Sequence, residues 1–164
     1  MIWVSYKIKK CSPLFIGCYY GKQESRCTKD EIAIEMENLS EEIQENLNEG
    51  EVLVFMDGNG KIGLLGEEKS RNGKMLEEVV TSHNLSFLNK NKKCIGKVTR
   101  QNTMNANEVS AIDFVVATQN VETKLISMLI DEKGIYKVKG KKETDHNTIV
   151  SLFKVPQAQR QKTI

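Results

Sequence analysis

The sequence has no apolar run near the roughly 20 residues that a helical membrane span requires. Its opening "MIWVSYKIKK" is too short and too broken by polar residues for a secretory leader. We therefore expect a nuclear or cytoplasmic chain that is not secreted. None of the cysteines (Cys11, Cys18, Cys27, Cys94) forms a C-x-x-C pair or has a nearby histidine, which argues against a zinc knuckle and against a disulfide framework. They are expected as reduced, mostly buried thiols. No internal repeat occurs, and from Asp30 to Glu51 there is no base at all among nine acids. The rest of the chain carries 24 bases against 13 acids, concentrated in "KNKKCIGKVTR" and "KGIYKVKGKK". Each run alone fits a solvated face, and together they leave room for a polyanionic partner away from the acidic segment.

A chain of 164 residues is one domain's worth and buries roughly 70% of its unfolded surface. Residues 1–154 are expected as that domain, and 155–164 as a polar, disordered tail. "PLFIGCYYG" is a strand candidate. Ile32, Met36, Leu39, Ile43 and Leu47 then recur at helical spacing, with Thr28 and Glu31 at capping-box separation. "EVLVFM" follows as a strand, and a second helix is expected from about Gly73 to His83 with Asn72 as cap. His83 on that helix is expected to be structural. Five strands follow in "LSFLN", "CIGKVTR", "VSAIDFVVA", "KLISMLI" and "NTIVSLF". Helices early and strands late point to an α+β fold with antiparallel neighbours rather than a regular parallel alternation.

The stretch "VLVFMDGNGKIG" admits four readings. "GNGKIG" satisfies G-x-G-x-x-G, but a dinucleotide fold needs a helix at once, to lay the pyrophosphate on its free N–H groups; "LLGEEKSRNG" has no helical period. An EF-hand register puts Asp57, Asn59 and Glu68 at ligand places, yet supplies Lys61 and Ile62 where an oxygen ligand and glycine are needed. A plain turn fits Asp-Gly and Asn-Gly. An active site fits if Asp57 and Asn59, two residues apart in an extended segment, project together beyond the strand end. Two other polar pairs favour that last reading. Asp113 interrupts the apolar strand "SAIDFVV", where an unpaired carboxylate is costly. Asp145 and His146 stand directly before the last strand, and His146 is a natural partner for Asp113.

In order along the chain, "CYYGK", "MDGNG", "RNGKMLEEVVTSHNLSFLN", "VTR", "SAIDFVV" and "TDHN" are similar to six segments of the endonuclease/exonuclease/phosphatase family, the deoxyribonuclease-I-like fold. The chain resembles in particular the endonuclease domains of non-LTR retrotransposons, over about Phe15 to Phe153. The resemblance implies a partial four-layer α/β/β/α sandwich, truncated at the N-terminus, in which "MIWVSYKI" would be a strand without its neighbours. It implies Mg²⁺-dependent (or Mn²⁺-dependent) phosphodiester hydrolysis acting on DNA. Asp57 would orient or deprotonate the attacking water. Asn59, Tyr20 and Thr99 would contact the phosphate, and His146, oriented by Asp113, would donate to it. Asp145 and Asp57 would hold the metal. A catalytically inactive remnant that binds nucleic acid or protein is the alternative, and self-association or another chain would cover the missing strands. Met56 and Gly58 flank the aspartate where the family has glycine and phenylalanine, so a loosened turn is expected; Arg100 stands where the family has tryptophan, and Thr144 where it has serine.

Overall fold

The computed structural model describes residues 1–7, 11–105, 107–136 and 144–155. Part of the basic run "KGIYKVKGKK" and the tail from 156 onward lie outside the described residues. Among the described residues, ten strands and three helices run β1 (Ile2–Tyr6), β2 (Leu14–Tyr20), α1 (Lys29–Glu49), β3 (Glu51–Asp57), α2 (Arg71–Ser82), β4 (Ser86–Phe87), β5 (Cys94–Ile95), β6 (Arg100–Gln101), β7 (Val109–Ser110), β8 (Asp113–Ala117), α3 (Gln119–Thr123), β9 (Leu125–Ile130) and β10 (Ile149–Phe153). A 3-10 turn, Leu88–Lys90, follows β4. The fold is α+β.

Helix α1 forms where its pattern places it. Thr28 accepts from the Glu31 N–H and the Glu31 side chain returns to the Thr28 N–H, so two free donors of the first turn are satisfied. Ile32 and Ile43 are fully buried, each contributing roughly 1.5–3 kcal/mol by leaving water. Helix α2 starts earlier than expected. Its cap is Ser70, whose hydroxyl accepts from the Gly73 N–H, and not Asn72. Asn72 lies inside the first turn, where its side chain donates to the Lys22 and Asn59 carbonyls at 2.8 and 3.3 Å. His83 ends the helix, its Nε2 2.7 Å from the Ser40 hydroxyl.

Five strands make one sheet in the order β1-β2-β3-β8-β4, and three make a second, β10-β9-β5. Helices α1 and α2 cover one face of the first sheet through Ile32, Met36, Leu76 and Val80, against Val52, Val54 and Phe114. The second sheet covers part of the other face, with Leu125, Met128 and Ile130 against Leu53, Val115 and Ala117. Three of the four expected layers are therefore present among the described residues. Strand β1 has a neighbour after all, since it pairs antiparallel with β2 from Ile2↔Cys18 to Tyr6↔Leu14. The Trp3 indole also donates to Glu42 of α1 at 2.8 Å.

Two expected strands are broken, and the breaks build the site. "CIGKVTR" divides at Gly96, whose positive φ of 86° turns the chain out of the second sheet. "VSAIDFVVA" divides at Ala111 and Ile112, where the chain leaves a small β6–β7 hairpin and enters the first sheet. The thiols are also more open than expected, with Cys11 and Cys18 exposed and Cys27 and Cys94 half-buried.

Candidate active site

Antiparallel pairing of β3 with β8 sets Asp57 directly opposite Asp113 at one end of the first sheet. Two carboxylates side by side, partly out of water, repel. Burial first, then the charge of Asp113, pushes the Asp57 carboxyl above its usual range, against the opposing pull of His146, the Asn59 N–H and Arg100. His146 closes the group, with Nδ1 3.0 Å from each oxygen of Asp113. That hydrogen bond is the main reason the imidazole's proton affinity is raised, outweighing the burial that acts against the charged form. Asp57, Asp113 and His146 thus have donor atoms within 4.8 Å of one another. The segment that delivers His146 is laced to β6: Gln101 N–H donates to the Asp145 carbonyl at 2.8 Å and Asn147 N–H to the Thr99 carbonyl at 2.6 Å.

The turn after Asp57 is pinned, not loose. Gly58 N–H donates to the Ile112 carbonyl at 2.8 Å, and Gly21 N–H to the Asp57 carbonyl at 2.7 Å. A Cβ on Gly58 would stand 2.8 Å from Leu76 Cδ2 and 3.2 Å from the Phe114 ring, so close packing replaces the bulky anchor the resemblance would place there. The start of α2 presses on the same turn, where a Cβ on Gly73 would fall 1.8 Å from the Lys61 carbonyl oxygen. Asn59 does not share Asp57's face by strand alternation, because the strand ends at Asp57 and Asn59 is left-handed at φ 44°. Its backbone N–H donates to the Asp57 carboxylate at 3.2 Å and its side-chain amide to the Gly21 carbonyl at 2.8 Å. One amide N–H remains beyond that bond.

These groups open onto a cleft of about 950 Å³ shared by Tyr20, Asp57, Asn59, Arg100, Asp145 and His146. Tyr20 is 67% exposed at its rim. One expected contact needs correction. Thr99 cannot touch a phosphate: it is fully buried, and its hydroxyl accepts from the Ile112 and Asp113 N–H groups at 2.9 and 3.0 Å. Its work is to hold the corner from which Asp113 enters the sheet. Asp145 stands outside the Asp57–Asp113–His146 group and gives its carboxylate to Arg100, whose Nε–H donates to it at 2.6 Å. Burial pushes the Asp145 carboxyl up, but the hydrogen bond and charge of Arg100, then the charge of His146, hold it below the ordinary carboxylate range. Arg100, at the position where the resemblance has tryptophan, is a cleft residue that the sequence did not point to.

The donors suit a hard divalent cation at one place. Asp57 bears a partly buried charge with no cation in direct contact among the described residues, and Mg²⁺ takes one or two carboxylates and completes its shell with water and phosphate oxygens. Asp113 is committed to His146 and Asp145 to Arg100.

The sequence model of the endonuclease-reverse transcriptase family matches residues 14–150. The chain therefore belongs to that family, within the endonuclease/exonuclease/phosphatase group with its deoxyribonuclease-I-like fold. No curated protein matches the sequence. Among solved structures it is similar to the endonuclease domain of TRAS1, a telomere-specific non-LTR retrotransposon, at 18% identity and TM-score 0.66 over 95% of this chain and 64% of that one. It is similar to the 3' phosphatase NExo from Neisseria, bound to a product DNA hairpin, at 11% identity and TM-score 0.67 over 93% and 65% of the two chains. It also resembles the APE2 catalytic domain of Xenopus laevis, at 15% identity and TM-score 0.60 over 87% and 50%. The chain thus spans less than two thirds of the length of these proteins.

Proposed function

We propose that the chain is an endonuclease-type hydrolase domain that cleaves DNA phosphodiesters with the help of Mg²⁺ or Mn²⁺. The observation that carries this reading is the Asp113–His146 pair set beside Asp57 on one open cleft. Hydrolysis requires a water to attack phosphorus in line with the departing sugar oxygen, and fixed donors where charge gathers on the phosphoryl oxygens. Asp57 accepts a proton from that water. His146, held charged by Asp113, offers its Nε2–H to a phosphoryl oxygen. Asn59 gives its remaining amide N–H to another, and Tyr20 bounds the substrate from the rim. A divalent ion held by Asp57 would supply Lewis acidity and a more acidic water; Asp145, whose Oδ2 accepts from Arg100, could join it through Oδ1.

One observation favours a second reading, in which the chain retains DNA without cutting it: a carboxylate that could help to hold the metal is occupied by an arginine. Supercoiled plasmid incubated with Mg²⁺, and separately with chelator, decides between them. Nicking that needs metal and is lost in Asp57→Ala and His146→Ala supports hydrolysis. Equal background in every sample overturns it, and salt-sensitive retention of the plasmid without nicking supports the binding reading.

A further inference from the structure

Arg100 is a cleft cation whose aim is fixed from two sides. Its backbone pairs with Ser110 in the β6–β7 hairpin and bridges to His146 on the opposite edge. Its Nε–H is fixed on Asp145, whose own carbonyl is held by the Gln101 N–H. A guanidinium carries five N–H donors. Among the described residues, the four on its two Nη groups have no protein acceptor, and the side chain is 41% exposed in the cleft that holds Asp57 and His146. His146 Nε2 lies 3.8 Å from the other Asp145 oxygen, so Arg100 and His146 flank one carboxylate. By contrast, Lys69 of the same cleft is engaged with Glu77.

We propose that Arg100 anchors a backbone phosphate of the bound nucleic acid through its Nη groups, and that Asp145 is the positioning residue that holds the guanidinium in place. The planar fork matches two phosphate oxygens, which an ammonium cannot do. The cleft thereby gains on the β6 side the phosphate contact that buried Thr99 cannot make. This inference rests on the nucleic-acid reading above, but not on cleavage.

The test measures binding of a labelled 12-base-pair duplex, a length of about one helical turn, to the full chain in chelator across a salt series. Arg100→Gln should weaken binding tenfold or more at low salt and lower the slope of log affinity against log salt by about 1. Arg100→Lys should keep most of the slope and lose a few-fold in affinity. Asp145→Asn removes a negative charge, so simple electrostatics would tighten the complex, whereas a positioning role weakens it. Melting curves identify any variant that loses affinity only by unfolding. An unchanged slope in Arg100→Gln, tighter binding by Asp145→Asn, or no binding by the unaltered chain overturns the proposal. Loss of Mn²⁺ affinity in Asp145→Asn with duplex binding intact returns Asp145 to a metal role. Because binding is read without metal, absence of nicking would sink the hydrolase reading and leave this result standing.

Discussion

The five-stranded sheet has two unlike halves. Strands β3 and β8 lie in its interior, with helices on one face and the second sheet on the other, and Val52, Val54, Phe114, Val115 and Val116 are fully buried. Among the described residues strand β1 forms an edge, paired on one side only, and Ile2, Val4 and Tyr6 are 72%, 62% and 53% exposed. Aspartates terminate the interior pair and face each other; nothing on the edge strand enters the cleft. A charged group is held at a defined place when the backbone beneath it is hydrogen-bonded from both sides and its neighbours cannot move, which is the condition of the interior pair. The edge has freedom on one side and no such role.

The largest expected effect tests whether the ends of the interior strands act as a unit. Asp113→Ala and His146→Ala should each lower nicking by about 10²–10⁴-fold, the range of general acid–base assistance. Because Asp113 acts through His146, the double variant should be no worse than the more damaging single one. Losses that multiply would show that Asp113 has a separate contact with substrate.

Next in size is the packing beneath them. Phe114 follows Asp113, is fully buried, and meets Phe87 edge-on with ring centres 5.4 Å apart. Phe114→Ala should cost about 3–5 kcal/mol in urea unfolding, since a cavity would open where the Gly58 turn now closes on the ring. A loss under about 1 kcal/mol, within the ordinary range for a single substitution, would mean that the site's floor is not the rigid element described.

How much of this was legible in the sequence follows the same division. Local signals were plain: the Thr28–Glu31 box and the period from Ile32 to Ile43 gave α1, and a carboxylate inside "SAIDFVV" demanded a partner that the structure supplies in His146. What failed depends on contacts distant in the chain. Thr99 sits among polar residues with no burial period, so nothing nearby showed that its hydroxyl accepts from N–H groups 13 and 14 residues away. The Arg100–Asp145 pair spans 45 positions and exists only because the hairpin meets the segment before β10. Ser70 displaced Asn72 as cap because the Asn72 side chain is drawn to Lys22 and Asn59 instead.

A smaller effect comes from pH. His146 is held above the ordinary histidine value of 6.5, chiefly by its bond to Asp113. A base whose folded proton affinity exceeds its unfolded one stabilises the fold fully below the unfolded value, and loses that contribution as pH rises through the folded one. Unfolding in chelator, followed from about pH 5 to about pH 9, should therefore show stability falling above 6.5 in the unaltered chain, with that step missing in His146→Gln. Asp57 has the same sign over a lower pH range, since its raised folded value means that protonation on the acid side relieves repulsion and adds stability, which is lost as pH rises through that value. A step at high pH that survives in His146→Gln would assign the effect to some other group.

The smallest effect lies at the edge and makes the sharpest contrast. Val4→Thr keeps the β-branched shape that suits a strand and changes one exposed methyl for a hydroxyl, so unfolding should shift by no more than about 0.5 kcal/mol. Val4 faces solvent opposite half-buried Ile16, and nothing among the described residues packs on its outer side. A cost above about 1 kcal/mol would mean that this face is buried in solution, because water charges little for exchanging a methyl for a hydroxyl and only an apolar cover charges more. The contrast with Phe114 would then measure two covered regions, and the edge would have to be described together with whatever covers it.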